Sequence, residues 1–380
     1  MTSPATRSLV RSRRDLSAVK QVVVKVGSAL LADPDADVFG LLAKDILALR
    51  NRGIQVILVS SGAIALGWNK LGLKERPKSL PLLQAAAATG QMTLMGKWQS
   101  YFEHEQITLA QILLTHGDMR HRKRYLNAKS ALEALLQKGA LPVVNENDSV
   151  SVEEIRFGDN DALAADVAGL MSFPLLVLLT RADGVMTAPP DTHKDAQRIS
   201  EIANPKDVGG IEMGAANWSG TGGMQTKLLA AQNAQRHGAA TVIADGRQSG
   251  ILGQILEGAD VGSFIPGPSE NPEKARKRWI SQTLRPRGEL QIDSGAHRAL
   301  GGGASLLFAG VVSVSGDFDA GDAVDVFLAG ESTPFARGLI TLNAKDASRV
   351  AGSKSWDAQK SQNEPLPDEL IHRDDLAFLG

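Results

Sequence analysis

Val19-Lys20-Gln21-Val22-Val23-Val24-Lys25-Val26-Gly27-Ser28 is the stretch that decides the fold. Its dense β-branched run has no 3.6-residue face and stops at a glycine, so it reads as a strand buried on both sides. Just beyond it, Leu41, Leu42, Ile46, Leu47 and Leu49 recur at helical spacing, Gly53 stops that helix, and Ile54 to Val59 is a second apolar run. Together these pieces make a βαβ unit. The alternation continues with helices expected from Leu80 to Glu103, Tyr125 to Gln137, Asp161 to Met171 and Met224 to His237. Strands are expected from Ile107 to Leu114, Leu141 to Val144, Leu175 to Leu179 and Thr241 to Ala244. Such alternation predicts an α/β fold, a three-layer sandwich whose mostly parallel sheet is covered by helices on both faces. Val150, Val152 and Ile155 alternate with polar residues and suggest a hairpin projecting from that sheet.

The texture changes after Gly258. Pro266, Pro268 and Pro272 mark a linker, and the long helices give way to short strands between Gly-rich turns. Those strands run from Glu289 to Ile292, Gly310 to Val314, Ala323 to Phe327 and Ala336 to Thr341. The expected layout is therefore a tail over 1–18, an α/β domain over 19–258, a linker over 259–275, and a small β-rich domain with its C-terminal tail over 276–380. Arg7, Arg11, Arg13 and Arg14 lie among Ser and Thr with no apolar signal core after them. The tail is expected to be disordered in a cytoplasmic protein, with a transit peptide as the alternative.

The 380 residues hold 41 Lys plus Arg against 42 Asp plus Glu, a balance that argues against a globally basic nucleic-acid coat or an acidic solvating chain. With 43% hydrophobic residues the chain has enough apolar side chains to fill real cores. The absence of cysteine removes thiol nucleophiles, disulfide frameworks and Cys-based metal sites, and fits a reducing compartment. The longest apolar run near the middle, Leu175 to Leu179, is far shorter than the ~18 residues of a spanning helix, so no membrane span is expected.

Four loops follow strands, where an open parallel sheet places its ligands. Lys25-Val26-Gly27-Ser28 puts a lysine at a strand end beside glycine, either as a phosphate ligand or as an ordinary edge lysine. Ser60-Ser61-Gly62-Ala63 joins a strand to a helix, either as a carboxylate-binding turn or as a plain helix cap. Asn145-Glu146-Asn147-Asp148 and Gly158-Asp159-Asn160-Asp161 stand at opposite ends of the expected hairpin. Such clusters clamp an ammonium group, organise Mg²⁺ and lysines, or form solvated acidic turns. Gly220-Thr221-Gly222-Gly223-Met224-Gln225-Thr226-Lys227 opens a helix and makes an anion cradle with a lysine one turn inside. The P-loop and Rossmann fingerprints are absent. His372-Arg373-Asp374-Asp375 imitates a protein-kinase catalytic loop, but the chain ends too soon for the segments that must follow one.

These loops, taken in order, resemble the amino acid kinase family, and within it the branch that phosphorylates free glutamate. The C-terminal part resembles a PUA domain, with Arg276-Lys277-Arg278-Trp279 before it and Gly316-Asp317-Phe318 and Gly321-Asp322 within it. The resemblance implies ATP-dependent, Mg²⁺-assisted phosphorylation of the γ-carboxylate of L-glutamate, the first step of proline biosynthesis. It implies that Lys25, Gly27, Thr180, Arg181 and the loop from Thr221 through Gly222, Gly223, Met224, Gln225 and Thr226 to Lys227 bind ATP. It implies Ser61, Gly62, Ala63, Asp148 and Asn160 as the glutamate site, and Lys25, Asp161 and Lys227 as the catalytic set, Asp161 orienting the two lysines. No metal site held by protein groups alone is read. A homo-oligomer and a hand-off to glutamate-5-semialdehyde dehydrogenase are the implied partners. One departure stands out, because Thr180-Arg181 occupies the place where this family usually has Thr-Asp, so that Arg181 either pairs with a phosphate or points to solvent.

Sibling kinases for acetylglutamate, aspartate, carbamate or uridylate share the sheet and the glycine loop, but not this set of loops together with the C-terminal domain. The alternative from another class is an RNA-binding protein acting through its small domain. Its basis is a basic stretch of Lys274, Arg276, Lys277, Arg278, Arg285 and Arg287 around Trp279. A solvated linker with a packed Trp explains the same residues.

Overall fold

The computed structural model describes residues 9–33, 35–120, 122–150, 159–188, 193–208, 223–268, 277, 280–281, 284–353, 366–367 and 369–379. The expected hairpin beyond Val150, the residues Gly220, Thr221 and Gly222 of the glycine loop, and Arg276 and Trp279 lie outside these. The chain divides into two compact units, Met1–Ser269 and Glu270–Gly380.

In the first unit the strands are β1 (Gln21–Val26), β2 (Gln55–Ser60), β3 (Leu109–Leu114), β4 (Leu141–Glu146), β5 (Leu175–Thr180), β6 (Ala240–Asp245) and β7 (Ser263–Ile265). The helices are α1 (Ser28–Leu31), α2 (Val38–Asn51), α3 (Ala63–Gly67), α4 (Leu80–Phe102), α5 (His116–Arg120), α6 (Arg122–Gln137), α7 (Asp159–Met171), α8 (Met224–Arg236) and α9 (Ile251–Leu256). The sheet runs β3-β4-β2-β1-β5-β6-β7, parallel throughout except for β7. The chain builds outward from β1 in one direction through β2 and in the other through β5, which makes β1 the switch point where such sheets open a crevice beyond their C-terminal ends.

The two-residue period of β1 sorts its side chains between two cores. Val22, Val24 and Val26 join Leu42, Ile46, Leu94, Trp98 and Ile255 on the face covered by α2, α4 and α9. Val23 joins Leu132, Leu163, Val167 and Leu228 on the face covered by α6, α7 and α8. Lys25 shares the parity of Val23, so its side chain is delivered to the α7–α8 side.

Three expectations about boundaries are corrected. The supposedly disordered tail is packed from its ninth residue onward, with Val10 and Leu16 fully buried and a 3-10 turn over Arg13–Ala18. The Arg13 guanidinium donates to the carbonyls of Ala259 and Val261 at 2.9 Å and of Ser200 and Gly262 at 2.8 Å. An Arg-rich stretch reads as solvated when its carbonyl partners lie far away in the chain. The expected linker begins too early, because β7 falls inside it and pairs antiparallel with β6, covering the sheet edge. A three-residue strand is too short to show a period. Finally, the helix expected from Asp161 begins at Asp159, so that Asn160 shares its first turn with Asp161.

The second unit holds a five-stranded sheet in the order β12-β11-β10-β8-β9, with β8 Gly288–Ile292, β9 Val311–Gly316, β10 Ala323–Leu328, β11 Ala336–Leu339 and β12 Leu376–Phe378. It encloses a core of its own around Leu290, Phe308, Val326, Ile340 and Ile371. The C-terminal segment is thus a sheet member, with Leu376 to Phe378 pairing against β11. Among the described residues no helix is long and apolar enough to cross a membrane.

Helices α3 and α4 meet backbone to backbone. A Cβ at Gly90 would run into the Ala63 carbonyl oxygen, and one at Gly67 into that of Ala86. Since both helices are also fixed by the core, there is little room to yield. Gly90→Ala is expected to destabilise the first unit by on the order of 1–3 kcal/mol or more, read as a lowered denaturation midpoint. An unchanged midpoint would show that α3 can swing away freely.

Candidate functional site

The C-terminal ends of β1, β2, β4 and β5 bring four of the sequence-selected loops to one edge of the sheet. At its centre Lys25 Nζ lies 2.6 Å from Asp161 Oδ1, and Lys227 Nζ lies 3.0 Å from Asp161 Oδ2. Lys25 is 4% exposed, Asp161 0% and Lys227 5%, so two ammonium groups share one carboxylate out of water. Thr226 Oγ is 3.0 Å from Asp161 Oδ2 and 2.7 Å from the Gly223 carbonyl, and its one proton serves either acceptor. Each member has a local reason to be there. Lys25 comes from the strand period, Asp161 from the first turn of α7, and Lys227 from the first turn of α8, whose N-cap is Gly223.

The electrostatics follow from this packing. Burial by itself would raise the Asp161 pKa, but the charges and hydrogen bonds of Lys25 and Lys227 outweigh it and hold the carboxyl below its ordinary value. Burial lowers the Lys227 pKa, the nearby Lys25 charge adds to that, and Asp161 opposes both. Three buried charges with one positive in excess are stable only if an anion or its hydration completes them.

Beside this cluster, the β2–α3 turn is held in place from behind. Trp98 Nε1 donates to Ser60 Oγ at 2.9 Å, and the Ser61 amide donates to the Val26 carbonyl at 3.1 Å. Gly62 has φ 113°, a left-handed conformation that lets the strand turn at once into α3. Ser61 and Gly62 are half-buried and Ala63 is buried. At the end of β4, Asn145 accepts from the Asn160 amide at 3.1 Å, so the acidic and amide clusters do face each other. Asp148 is half-buried and its charge is felt by Arg76. On the other flank, Thr180 pairs in register with Asp245, and the Arg181 side chain is exposed while its carbonyl accepts from Arg247 at 2.7 Å. Arg247 is itself clamped on Asp245 through contacts of 2.7, 3.0 and 3.2 Å.

The structure therefore brings together Lys25, Gly27, Asp161, Gly223, Thr226 and Lys227, with Ser61, Gly62, Ala63, Asp148, Asn160, Thr180 and Arg181 at the same sheet edge. Met224 and Gln225 open α8, Gln225 exposed. Sequence reasoning missed Arg76, Gln91, Asp245 and Arg247. Only Gln91 left a trace, as a polar residue on the face of α4 otherwise formed by Leu83, Ala86, Ala87, Gly90, Leu94 and Trp98. Of the basic stretch, Lys277, Arg285 and Arg287 are described and exposed, and Arg287 lies 3.9 Å from Asp322.

Comparison with known proteins follows the same division of the chain. Residues 20–245 match the model of the amino acid kinase family, and residues 288–360 match that of the PUA domain. Proteins named Glutamate 5-kinase are similar over nearly the full length. That of Nitrosococcus oceani is 44% identical over 97% of this chain and 99% of its own. Those of Thermus thermophilus and Thioalkalivibrio sulfidiphilus are 44% identical over 96% and 99%, and 42% identical over 98% and 100%, respectively.

Asp161→Asn keeps the shape and removes the carboxylate, leaving two buried cations without a counter-charge. Chemical denaturation at neutral pH should show a loss of about 3–5 kcal/mol. Because the folded-state pKa of Asp161 is depressed, its contribution is present above the ordinary value of 3.8 and is lost as pH falls below it. The stability gap between wild type and variant should therefore narrow under acid, and a gap that stays constant with pH would contradict the assignment.

Proposed function

The chain belongs to the amino acid kinase family, and from that premise we propose that it transfers the terminal phosphoryl group of ATP to the γ-carboxylate of L-glutamate, giving L-glutamyl 5-phosphate for proline synthesis. The observation that carries this reading is the buried Lys25–Asp161–Lys227 cluster at the open edge of the sheet. Its excess positive charge suits two anions that would otherwise repel each other.

The acceptor is already ionised at neutral pH, since a free glutamate side chain has a pKa of about 4.3, so no general base is required. What remains is to align the two reactants and to neutralise charge on the transferred phosphoryl. Lys25 and Lys227 approach that group from β1 and α8, and Asp161 keeps both ammonium groups aimed by charge-assisted hydrogen bonds. The cradle that begins α8, with Gly223 to Lys227 in its described part and Thr221 and Gly222 before it, receives the phosphates of ATP. Gly27 lets the chain come close, and Thr180 and Arg181 flank the nucleotide. Ser61 with the N–H groups of Gly62 and Ala63 takes a substrate carboxylate, Asp148 takes its ammonium end, and Asn160 contacts the same amino acid through its side-chain amide. Mg²⁺ bound to the phosphates of ATP would supply further charge neutralisation there.

An acyl phosphate hydrolyses readily, so a reductase of the glutamate-5-semialdehyde dehydrogenase type is the partner that fits the product. A biosynthetic role of this kind places the enzyme in the cytoplasm.

Trapping the product with hydroxylamine, while offering glutamate, acetylglutamate, aspartate and uridylate in parallel, tests the reading directly. Glutamate should be the only efficient acceptor, because acetylation removes the positive charge that Asp148 is placed to pair with and adds bulk beside it. Equal turnover of acetylglutamate would overturn it. In the same assay Asp161→Asn should lose about 10²-fold or more in kcat with far smaller changes in KM, the pattern of a contact that matters most in the transition state. Arg181→Asp should change the apparent ATP affinity by more than a few-fold while glutamate affinity barely moves. Unchanged ATP kinetics would leave Arg181 with no part in nucleotide binding.

A further inference from the structure

A chain of three amides runs from α4 into the substrate side of the site. Gln91 is 9% exposed and Asn145 2% exposed, so neither can exchange its partners for water. The fixed point is the backbone N–H of Glu146, which can only donate. It lies 2.9 Å from Asn145 Oδ1 and 3.2 Å from Asn160 Oδ1, and so identifies both atoms as oxygens. Asn160 Nδ2 then donates to Asn145 Oδ1 at 3.1 Å. With its oxygen taken twice over, Asn145 can only donate onward, and its Nδ2 does so to Gln91 Oε1 at 2.7 Å. Every amide orientation is thereby determined.

Two donors are left over. Gln91 Nε2 is buried without a partner, and the second N–H of the half-buried Asn160 takes part in none of the bonds of this relay. An amide relay whose outer member, Asn160, stands next to Asp161 with an N–H outside the relay suits an acceptor, such as a carboxylate oxygen. The same helix fixes the neighbouring turn, because Gly90 abuts the Ala63 carbonyl immediately before Gln91.

We infer that Gln91 is a positioning residue for the acceptor substrate: through Asn145 it fixes the amide of Asn160 as a hydrogen-bond donor toward the bound amino acid. The inference rests on the proposed glutamate-phosphorylating activity and deepens it. Without an acceptor at Gln91, the buried NH2 group of Asn145 is left unpaired, and the side chain relieves this only by shifting away from the position in which its Oδ1 receives the Asn160 Nδ2 and the Glu146 N–H. The Asn160 amide then loses the contact that fixes its orientation. The nucleotide side does not depend on this relay.

The test is steady-state kinetics on the full-length enzyme with Gln91→Met, which preserves volume and removes the acceptor, and with Gln91→Asn, which keeps polarity but withdraws the acceptor by one methylene. KM for glutamate should rise by about tenfold or more, as for a lost contact to a charged group, while KM for ATP stays within about twofold. In an Asn160→Ala background the Gln91 substitution should add nothing, since its effect passes through Asn160. A lowered melting temperature with unchanged glutamate KM would overturn the inference by making Gln91 a core residue only. So would full additivity with Asn160→Ala, or failure of both variants to fold. Wild-type enzyme that does not phosphorylate glutamate at all would instead overturn the proposed function, and this inference with it.

Discussion

One carboxylate shared by two buried ammonium groups is the constraint around which the first unit is arranged. Burying three charges is expensive, and the geometry that makes it tolerable requires β1, α7 and α8 to converge within hydrogen-bonding distance of Asp161. The strand period must put Lys25 on the α7–α8 face, and both helices must begin at the same edge of the sheet. A slip of one residue in β1 would carry Lys25 into the opposite core. The net positive charge that remains suits this edge to anions.

The other half of the site depends on α4, which contributes no charged group to it. Gly90 brings α4 against α3 and sets the height of the Ser61 to Ala63 turn, and Trp98 holds Ser60 from behind. Gln91 reaches the amides of Asn145 and thence Asn160. A single helix thus registers two loops that leave different strands at the same sheet edge. A site assembled on one backbone element keeps its tolerances better than one assembled from independent loops.

The N-terminal segment shows how local composition misleads. Arg11, Arg13 and Arg14 resemble a solvated tail until Arg13 is seen among four carbonyl oxygens, with Phe264 beneath the guanidinium at 5.7 Å. Those acceptors come from residues 200 and 259–262, which no window around residue 13 contains. The misplaced linker has the same origin, since β7 owes its existence to β6 and not to its own three residues.

By itself the sequence determined the alternation of strands and helices, the parity of β1, the change of texture after Gly258, and the loops that end the strands. These are local properties, written in periods of two and 3.6 residues and in the placement of glycine. The positions of Lys25, Ser61, Asp161 and Lys227 were legible because each stands at a strand or helix end that the pattern fixes. Only the tertiary structure decided that Lys25 and Lys227 meet on one carboxylate, that Asn145 joins Gln91 to Asn160, that Arg13 reaches the carbonyls of Ser200, Ala259, Val261 and Gly262, and that the last residues pair with β11. Those pairings join residues far apart in the chain, and their energy exists only once the intervening elements have packed.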